Sequence, residues 1–208
     1  MKVLELFKGT GSVGKVAEEK GYEVVSVDMD KKWCPDILTD ILDWDYKQWY
    51  EDTNFTPDFI WGSPPCTTYS PFVWCRPVEK RPRNIHTAEP TNEYGRLHTK
   101  ILYRTLEIID YFRGINPDLK FCLENPRGIM RHDNKIKELK RATTLYCFYD
   151  DDRRKPTDFF SNYDLNLDKR RSPPKGMKTK RIRDICDMAS KYMIPPKLVN
   201  EILTQGLS

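Results

Sequence analysis

Short apolar runs, each bounded by glycine, proline or acidic residues, recur along the chain and predict strands. Four of these runs have the length of buried strands and lie at 2–7, 23–27, 59–62 and 120–123. The stretch 36–41 predicts a further short strand, and 144–148 and 157–161 predict two later strands that could pair antiparallel.

Apolar positions at helical spacing alternate with these strands. A helix predicted over Val13–Lys20 ends at Gly21, a favourable residue directly after a helix, and the spacing from Leu97 to Phe112 predicts a long amphipathic helix. Shorter helices are expected at Trp44–Trp49, near 182–190, and from Pro195 to Leu203. Strands and helices in this alternation predict an α/β fold with a doubly wound, mostly parallel sheet of Rossmann-like type.

The composition is that of one globular domain, with 208 residues of which 38% are hydrophobic and 32% charged. This length can bury a substantial core, so we predict a single domain over 1–208. The apolar runs are too short to span a membrane, and a strand beginning at Lys2 leaves no room for a signal peptide. We expect no membrane association and a cytoplasmic location, in a bacterium or in the host of a phage or virus.

The six cysteines are scattered along the chain and form no C-x-x-C pair. This pattern argues against a zinc site and against a disulfide framework, so we expect no metal and predict free thiols. His86, His98 and His132 show no ligand-like spacing and are predicted to be surface residues.

Basic residues are clustered although the formal net charge is only +4. Eight Lys or Arg and no acid lie within 169–183, and four basic residues against one acid lie within 76–83. Such segments are commonly solvated loops, but they are also typical of surfaces that contact nucleic-acid phosphates. The stretch 71–90 lacks periodicity and is predicted to be a long functional or mobile loop.

A glycine-rich turn follows the first predicted strand. Gly9, Gly11 and Gly14 match G-x-G-x-x-G, and Asp28 comes at the end of the next strand, where a carboxylate commonly binds ribose hydroxyls. The pattern predicts a nucleotide-type βαβ unit, and it does not separate dinucleotide enzymes from S-adenosylmethionine enzymes.

A cysteine and a glutamate follow two other predicted strands. Pro64 and Pro65 end the strand 59–62 and hold Cys66 in a stiff turn, and Glu124 comes at the end of the strand 120–123. Ligands of open α/β sheets bind at the carboxyl ends of the strands. Taken alone, Cys66 is equally readable as a buried structural thiol or as a reactive one.

The ordered motifs resemble those of the DNA cytosine carbon-5 methyltransferases. They are LELFKGTGSVG (4–14), SVDMD (26–30), TDI (39–41), GSPPCTTYS (62–70), LENPRG (123–128), RRKPTDFFSN (153–162) and MIPPKLVNEI (193–202). The proline-proline-cysteine and glutamate-asparagine-proline motifs are specific, whereas the glycine motif is not. The resemblance implies the Rossmann-like fold of S-adenosylmethionine-dependent methyltransferases.

The resemblance also implies a cofactor site and a set of reacting residues. The positions that match the S-adenosylmethionine site are Phe7, Gly9, Gly11, Asp28, Met29, Asp40 and Pro65. In this interpretation Asp28 binds the ribose, Met29 stacks on the adenine, and Asp40 contacts the adenine amino group. Cys66 matches the catalytic nucleophile, and Glu124 matches the glutamate that hydrogen-bonds the cytosine edge.

The chain departs from the family pattern in two places. Where the family has Gln-x-Arg-x-Arg, this chain has Arg153-Arg154-Lys155-Pro156-Thr157, so only Arg154 and Lys155 are carried over as catalytic candidates. Between Asn162 and Met193 the chain is too short for a target-recognition domain. We therefore predict that a basic segment, 163–192, replaces that domain, and that a mobile loop, 71–96, contacts DNA.

The sequence as a whole predicts a DNA (cytosine-5)-methyltransferase that acts through a covalent cysteine adduct with short or relaxed specificity. It would use S-adenosylmethionine, release S-adenosylhomocysteine and bind double-stranded DNA, with a partner chain or homodimer sharing recognition. One alternative is a cofactor-binding subunit that needs a partner, and another is the same chemistry on RNA or on a free or modified cytosine nucleotide. Amino-methylating enzymes fit poorly, because Ser63 stands before Pro64-Pro65 where they carry Asp or Asn.

Overall fold

One seven-stranded sheet forms the centre of the molecule, and it confirms the predicted α/β fold. The computed structural model describes residues 1–207. The strands are β1 (Lys2–Leu6), β2 (Glu23–Asp28), β3 (Ile37–Leu38), β4 (Phe59–Gly62), β5 (Lys120–Pro126), β6 (Lys140–Leu145) and β7 (Pro156–Ser161). Their order in the sheet is β3-β2-β1-β4-β5-β7-β6, with β7 antiparallel to both neighbours and the other pairs parallel.

Helices cover both faces of this sheet. They are α1 (Ser12–Glu19), α2 (Tyr46–Thr53), α3 (Glu93–Ile115), α4 (Met188–Tyr192) and α5 (Pro196–Gly206). One apolar core joins α1 and α5 to the sheet around Phe59 and Trp61, and a second core joins α2 and α3 to the opposite face around Ile60 and Phe121. Neighbouring residues of β4 therefore enter opposite cores, as the two-residue period of a strand requires.

The strand order reverses between β1 and β4. From β1 the chain proceeds outward through β2 and β3, and it then returns to place β4 on the other side of β1. Loops that leave the two strands at such a switch point diverge and open a crevice at the carboxyl edge of the sheet. The glycine-rich turn follows β1 and the Cys66 turn follows β4, so the topology places both predicted motifs at one crevice.

Several predicted boundaries were wrong. The predicted loop 71–96 ends at Asn92, because the Asn92 side chain accepts a hydrogen bond from the Gly95 N–H at 2.9 Å and so caps α3 at 93. Only Ile37–Leu38 of the predicted strand 36–41 pairs in the sheet. The strand expected over 144–148 is β6, which ends at Leu145 and continues as a single 3₁₀ turn.

In the described structure, the helix predicted over 182–190 does not form as one continuous element. It is replaced by a 3₁₀ turn at Ile182–Asp184 and by α4, which starts at Met188 because Asp187 accepts hydrogen bonds from two backbone N–H groups.

His98 is buried rather than exposed, whereas His86 and His132 lie on the surface as predicted. Within residues 1–207, the helices are all too short or too polar to cross a membrane.

Candidate active site

The turn after β1 adopts left-handed backbone conformations at three nearby residues. Phe7 has φ 64°, Gly9 has φ 50° and Gly11 has φ 67°. Glycine reaches this region freely, but a bulky residue such as Phe7 does so only where its surroundings impose it, and such strain is concentrated at ligand sites. The Gly9 N–H donates to Asp28 Oδ2 at 2.9 Å, which ties the turn to the end of β2.

Asp28 and Asp40 place carboxylates on the wall that faces this turn. Asp28 also accepts a hydrogen bond from the Asp30 N–H at 2.9 Å, and Asp40 accepts one from the Leu42 N–H at 2.9 Å. Met29, the residue directly after β2, is 70% exposed, which is unusual for a large apolar side chain. Two acceptor carboxylates beside an uncovered apolar side chain match the needs of a ribose and of an aromatic base.

Glu5 lies beneath the glycine turn, inside β1. Its side chain is 2% exposed, and its oxygens accept hydrogen bonds from the N–H groups of Val13 at 3.3 Å and Gly14 at 3.1 Å. Burial raises the pKa of Glu5 to about 8, and the two backbone N–H groups only partly oppose that effect. A carboxyl group in an otherwise apolar strand thus holds the first turn of α1 against the sheet.

The Cys66 turn is held from several sides. Asn125 Nδ2 donates to the Pro64 carbonyl oxygen at 2.9 Å, and the Cys66 carbonyl oxygen accepts from the N–H groups of Tyr69 at 2.9 Å and Ser70 at 2.8 Å. The Ile129 N–H donates to the Tyr69 carbonyl oxygen at 2.7 Å, where a Cβ on Gly128 would approach that oxygen to 2.2 Å. Only glycine permits this contact, which packs the segment after β5 against the turn.

Arg83 anchors the loop between the Cys66 turn and α3. Its side chain is fully buried and donates to Thr68 Oγ1 at 3.0 Å, to Thr99 Oγ1 at 2.9 Å, and to two backbone carbonyl oxygens in the loop and α3. The guanidinium carbon also stands 3.8 Å from the centre of the Tyr69 ring. The loop predicted to be mobile therefore contains a buried cation bonded both to the turn and to α3.

Glu124, Tyr146 and Lys155 form a buried polar group next to Cys66. The Tyr146 hydroxyl donates to Glu124 Oε1 at 3.0 Å, and Lys155 Nζ lies 3.6 Å from the same oxygen and 3.4 Å from the Tyr146 hydroxyl. All three residues are less than 9% exposed. Burial, followed by the Glu124 charge, raises the pKa of Tyr146 well above its usual value, so the hydroxyl keeps its proton and acts as a donor.

The Cys66 thiol faces this group and is partly exposed. Burial and, to a smaller extent, the Glu124 charge raise its pKa, whereas the Lys155 ammonium lowers it. The thiol is therefore the resting form at neutral pH, and added positive charge would favour the thiolate. Tyr192 of α4 stands close enough that burial and the Cys66 charge raise the pKa of its hydroxyl.

A single cavity of about 470 Å³ joins these parts. Among the predicted residues that line it are Phe7, Gly9, Asp28, Met29, Asp40, Pro65, Cys66, Glu124 and Lys155. Gly11 lies in the same turn but faces a neighbouring cavity, and Arg154 points away into a third. Arg154 and Lys155 are consecutive, yet only Lys155 reaches the cavity that contains Cys66.

Several residues of the cavity or its supports were not predicted from the sequence as site residues. Glu5, Trp33, Tyr192 and Ile194 also line the cavity, and Tyr146 contacts Glu124 from behind. A lone acid within an apolar strand was a usable signal for Glu5. Tyr146 and Tyr192 gave no signal in the sequence, because their positions depend on how distant segments fold back.

Among residues 1–207, no group of three or more His, Cys, Asp or Glu side chains is arranged to hold a metal ion.

The fold is Rossmann-like and is similar to that of solved methyltransferase structures. The S. pombe Dnmt2 methyltransferase superposes with a TM-score of 0.51 at 14% identity, over 90% of this chain and 61% of that one. The Entamoeba histolytica methyltransferase EhMeth gives 0.47 at 15% identity, covering 83% and 57% of the two chains. A DNMT2 mutant of Spodoptera frugiperda gives 0.47 at 18%, covering 86% and 56%.

The chain therefore spans only about three fifths of the length of these structures. Neither a protein-family model nor a curated protein sequence matches it.

Proposed function

We propose that the protein methylates carbon 5 of cytosine in a nucleic acid, with S-adenosylmethionine as the methyl donor. The observation that carries this proposal is the shared cavity, which has nucleotide-binding features at one end and Cys66 with Glu124 at the other. The ordered motifs and the fold support it, and the S. pombe Dnmt2 methyltransferase has the same fold.

The residues at the β1 and β2 ends fit this cofactor. The cavity volume, about 470 Å³, lies in the range of small-molecule sites. Asp28 and Asp40 would accept hydrogen bonds from the ribose and the adenine, and exposed Met29 would cover the base. When bound, S-adenosylmethionine supplies an electrophilic methyl group on a positively charged sulfur.

Cys66 would make carbon 5 reactive. Its thiolate adds to carbon 6 of the cytosine, and the electron pair of the 5,6 double bond becomes available at carbon 5. Once carbon 5 carries the methyl group, a base removes the remaining carbon-5 proton, the carbon–sulfur bond breaks, and Cys66 leaves as a thiolate. Lys155 favours the thiolate, because its ammonium is the nearby charge that lowers the pKa of Cys66.

Glu124 would hold the opposite edge of the base. The Tyr146 hydroxyl donates a hydrogen bond to Oε1 of Glu124, and the Lys155 ammonium forms an ion pair with the same oxygen. The two contacts fix the orientation of the carboxyl group. A carboxyl group so held stabilises the charge that develops on the pyrimidine during addition. In this scheme Lys155 acts on both Cys66 and Glu124, and Arg154 has no contact with the reacting base.

Double-stranded DNA is the substrate that the motif resemblance favours. A cytosine inside a duplex must leave the base stack to reach Cys66 in this cavity. The same residues would serve RNA or a nucleotide, so duplex DNA, single-stranded DNA, RNA and free cytidine nucleotides should be compared for methyl transfer. A purified chain that transfers methyl groups only after a partner is added would instead be a subunit.

A covalent trap tests the chemistry. Duplex DNA containing 5-fluorocytosine should become bound to the protein in the presence of the cofactor, because fluorine at carbon 5 blocks the elimination that frees Cys66. The adduct is measured by denaturing electrophoresis and by peptide mass spectrometry. The matched control is Cys75→Ala, which replaces an exposed cysteine nine residues further along the chain and should leave the adduct intact.

The Cys66→Ala variant should form no adduct and transfer no methyl groups. Absence of an adduct with the unmodified protein on all fluorocytosine-containing nucleic acids, at saturating cofactor, would refute the proposal. An adduct that maps to another cysteine would refute the role of Cys66.

A further inference from the structure

We propose that a basic groove beside the catalytic cavity binds the phosphodiester backbone of the nucleic-acid strand that carries the target cytosine. The groove, of about 760 Å³, is bounded by the outer edge of the sheet at β6, by the segment after β5, and by parts of 163–192. This inference rests on the proposed function, since it places the strand that flanks the reacting base.

The lining of the groove is strongly positive. It contains eight Arg or Lys and no acidic residue. Six of these are exposed and make no ion pair with a carboxylate among residues 1–207. They are Arg127, Arg141, Arg154, Lys169, Arg171 and Arg181. Six unpaired cations around one concave surface repel one another, and a polyanion relieves that repulsion.

The other two cations of the groove have protein partners. Arg131 donates to both oxygens of buried Asp158, at 2.5–3.0 Å, and Thr143 donates to the same carboxylate at 2.7 Å. Arg170 pairs with Asp168 at 2.5 Å, and its guanidinium carbon lies 4.3 Å from the centre of the Phe148 ring. These pairs neutralise part of the wall and leave the six unpaired cations as the ligands for phosphate.

The basic segment is tied at Lys180 to the connection between β6 and β7. The Arg154 N–H donates to the Lys180 carbonyl oxygen at 2.8 Å, and the Lys180 N–H donates to the Asp152 carbonyl oxygen at 2.6 Å. Lys180 Nζ also lies 2.6 Å from an Asp152 carboxylate oxygen. This short parallel bridge places Arg181 beside Arg154, so residues far apart in the sequence share one surface.

The groove borders the catalytic cavity at two segments of the chain. Pro126 lines the cavity, and the next residue, Arg127, lines the groove. Lys155 likewise lines the cavity, and its neighbours Arg154 and Pro156 line the groove. The Arg127 N–H donates to the Pro156 carbonyl oxygen at 2.9 Å and holds the two borders together. In this proposal, a strand whose base enters the cavity passes its neighbouring phosphates over these arginines.

Salt dependence of binding tests the groove. Each lost phosphate contact should reduce the slope of log K against log salt by about 0.7–0.9. Arg127→Gln with Arg141→Gln should thus lower the slope by about 1.5 and weaken binding about 30-fold at 0.1 M salt. Binding is measured by fluorescence anisotropy with labelled duplex DNA, single-stranded DNA and RNA of one sequence. The groove variant should bind more weakly than the unmodified protein to each of these nucleic acids that the unmodified protein binds.

The matched control is Lys47→Gln with Arg113→Gln, which removes the same charge from exposed sites on α2 and α3. It should leave the slope unchanged. Equal loss in both variants would show an effect of net charge only and would overturn the proposal. An unchanged slope in the groove variant would also overturn it. So would an unmodified protein that binds none of the three nucleic acids at 50 mM salt. Thermal unfolding confirms that each variant is folded.

Binding and chemistry are read separately. A fluorocytosine adduct together with an unchanged salt slope would refute the groove and leave the proposed function standing. A reduced slope in the groove variant with no adduct on any nucleic acid would support the groove as a binding surface and refute the methyl transfer.

Discussion

Glu5→Gln should remove a specific pH dependence from the stability of the fold. Glu5 is 2% exposed, and burial raises its pKa from 4.5 to about 8. Between those values the folded protein binds a proton that the unfolded chain has released. The Glu5 contribution to stability is therefore fully present below about pH 4.5, and it is lost as pH rises to about 8.

The size of the effect follows from the shift. One pKa unit corresponds to about 1.4 kcal/mol, so a shift from 4.5 to about 8 changes the free energy of unfolding by about 5 kcal/mol in all. Between pH 5 and pH 8, about 3–4 kcal/mol of that change should be observed. Gln carries no charge at either pH, so its own effect on stability should be constant across this range.

Urea denaturation of the two proteins at pH 5 and pH 8 measures this difference. The unmodified protein should lose about 3–4 kcal/mol more than Glu5→Gln between the two values, because all other titrations are common to both. Glu19→Gln, on the exposed face of α1, is the control and should follow the unmodified protein. An identical pH dependence of the unmodified protein and Glu5→Gln would refute the assignment of a raised pKa to Glu5.

Two further substitutions test the supports of the site. Tyr146→Phe keeps the buried ring but removes the hydroxyl that donates to Glu124 at 3.0 Å. The rate of methyl transfer should therefore fall about tenfold while thermal stability changes little. An unchanged rate at saturating substrate would contradict this role of Tyr146. Arg83→Ala removes four hydrogen bonds, three of them buried, and the contact with the Tyr69 ring, and should lower the free energy of unfolding by at least about 3 kcal/mol. Exposed Arg76→Ala is its control, and equal stability of the two variants would refute the anchoring role.

The fold was predictable because its signals are local. Apolar runs of strand length, Gly21 after α1 and the long amphipathic pattern of α3 each appear within a few neighbouring residues. Errors occurred where packing decides the conformation. The pattern at 182–190 has helical character, but Lys180 just before it bridges to the β6–β7 connection, and the segment forms only a 3₁₀ turn and α4.

The sequence by itself determined which chemical groups stand at the carboxyl ends of β1, β2, β4 and β5. Ordered motifs and the strand pattern specify Gly9, Asp28, Cys66 and Glu124 at those ends, and a parallel sheet brings such ends to one edge. Whether these residues act in catalysis stays a prediction that the fluorocytosine experiment tests.

Only the tertiary structure decided which side chains surround those groups. Tyr146 follows β6 and reaches Glu124 of β5 because β7 returns between these two strands and pairs with both, and the contact spans 22 positions of sequence. Arg154 and Lys155 are adjacent, yet they enter the groove and the cavity respectively. The physical reason is that the chain turns at Arg154, where the Lys155 N–H donates to the Arg153 carbonyl oxygen at 2.9 Å, and that the side which faces the site depends on the register between distant strands.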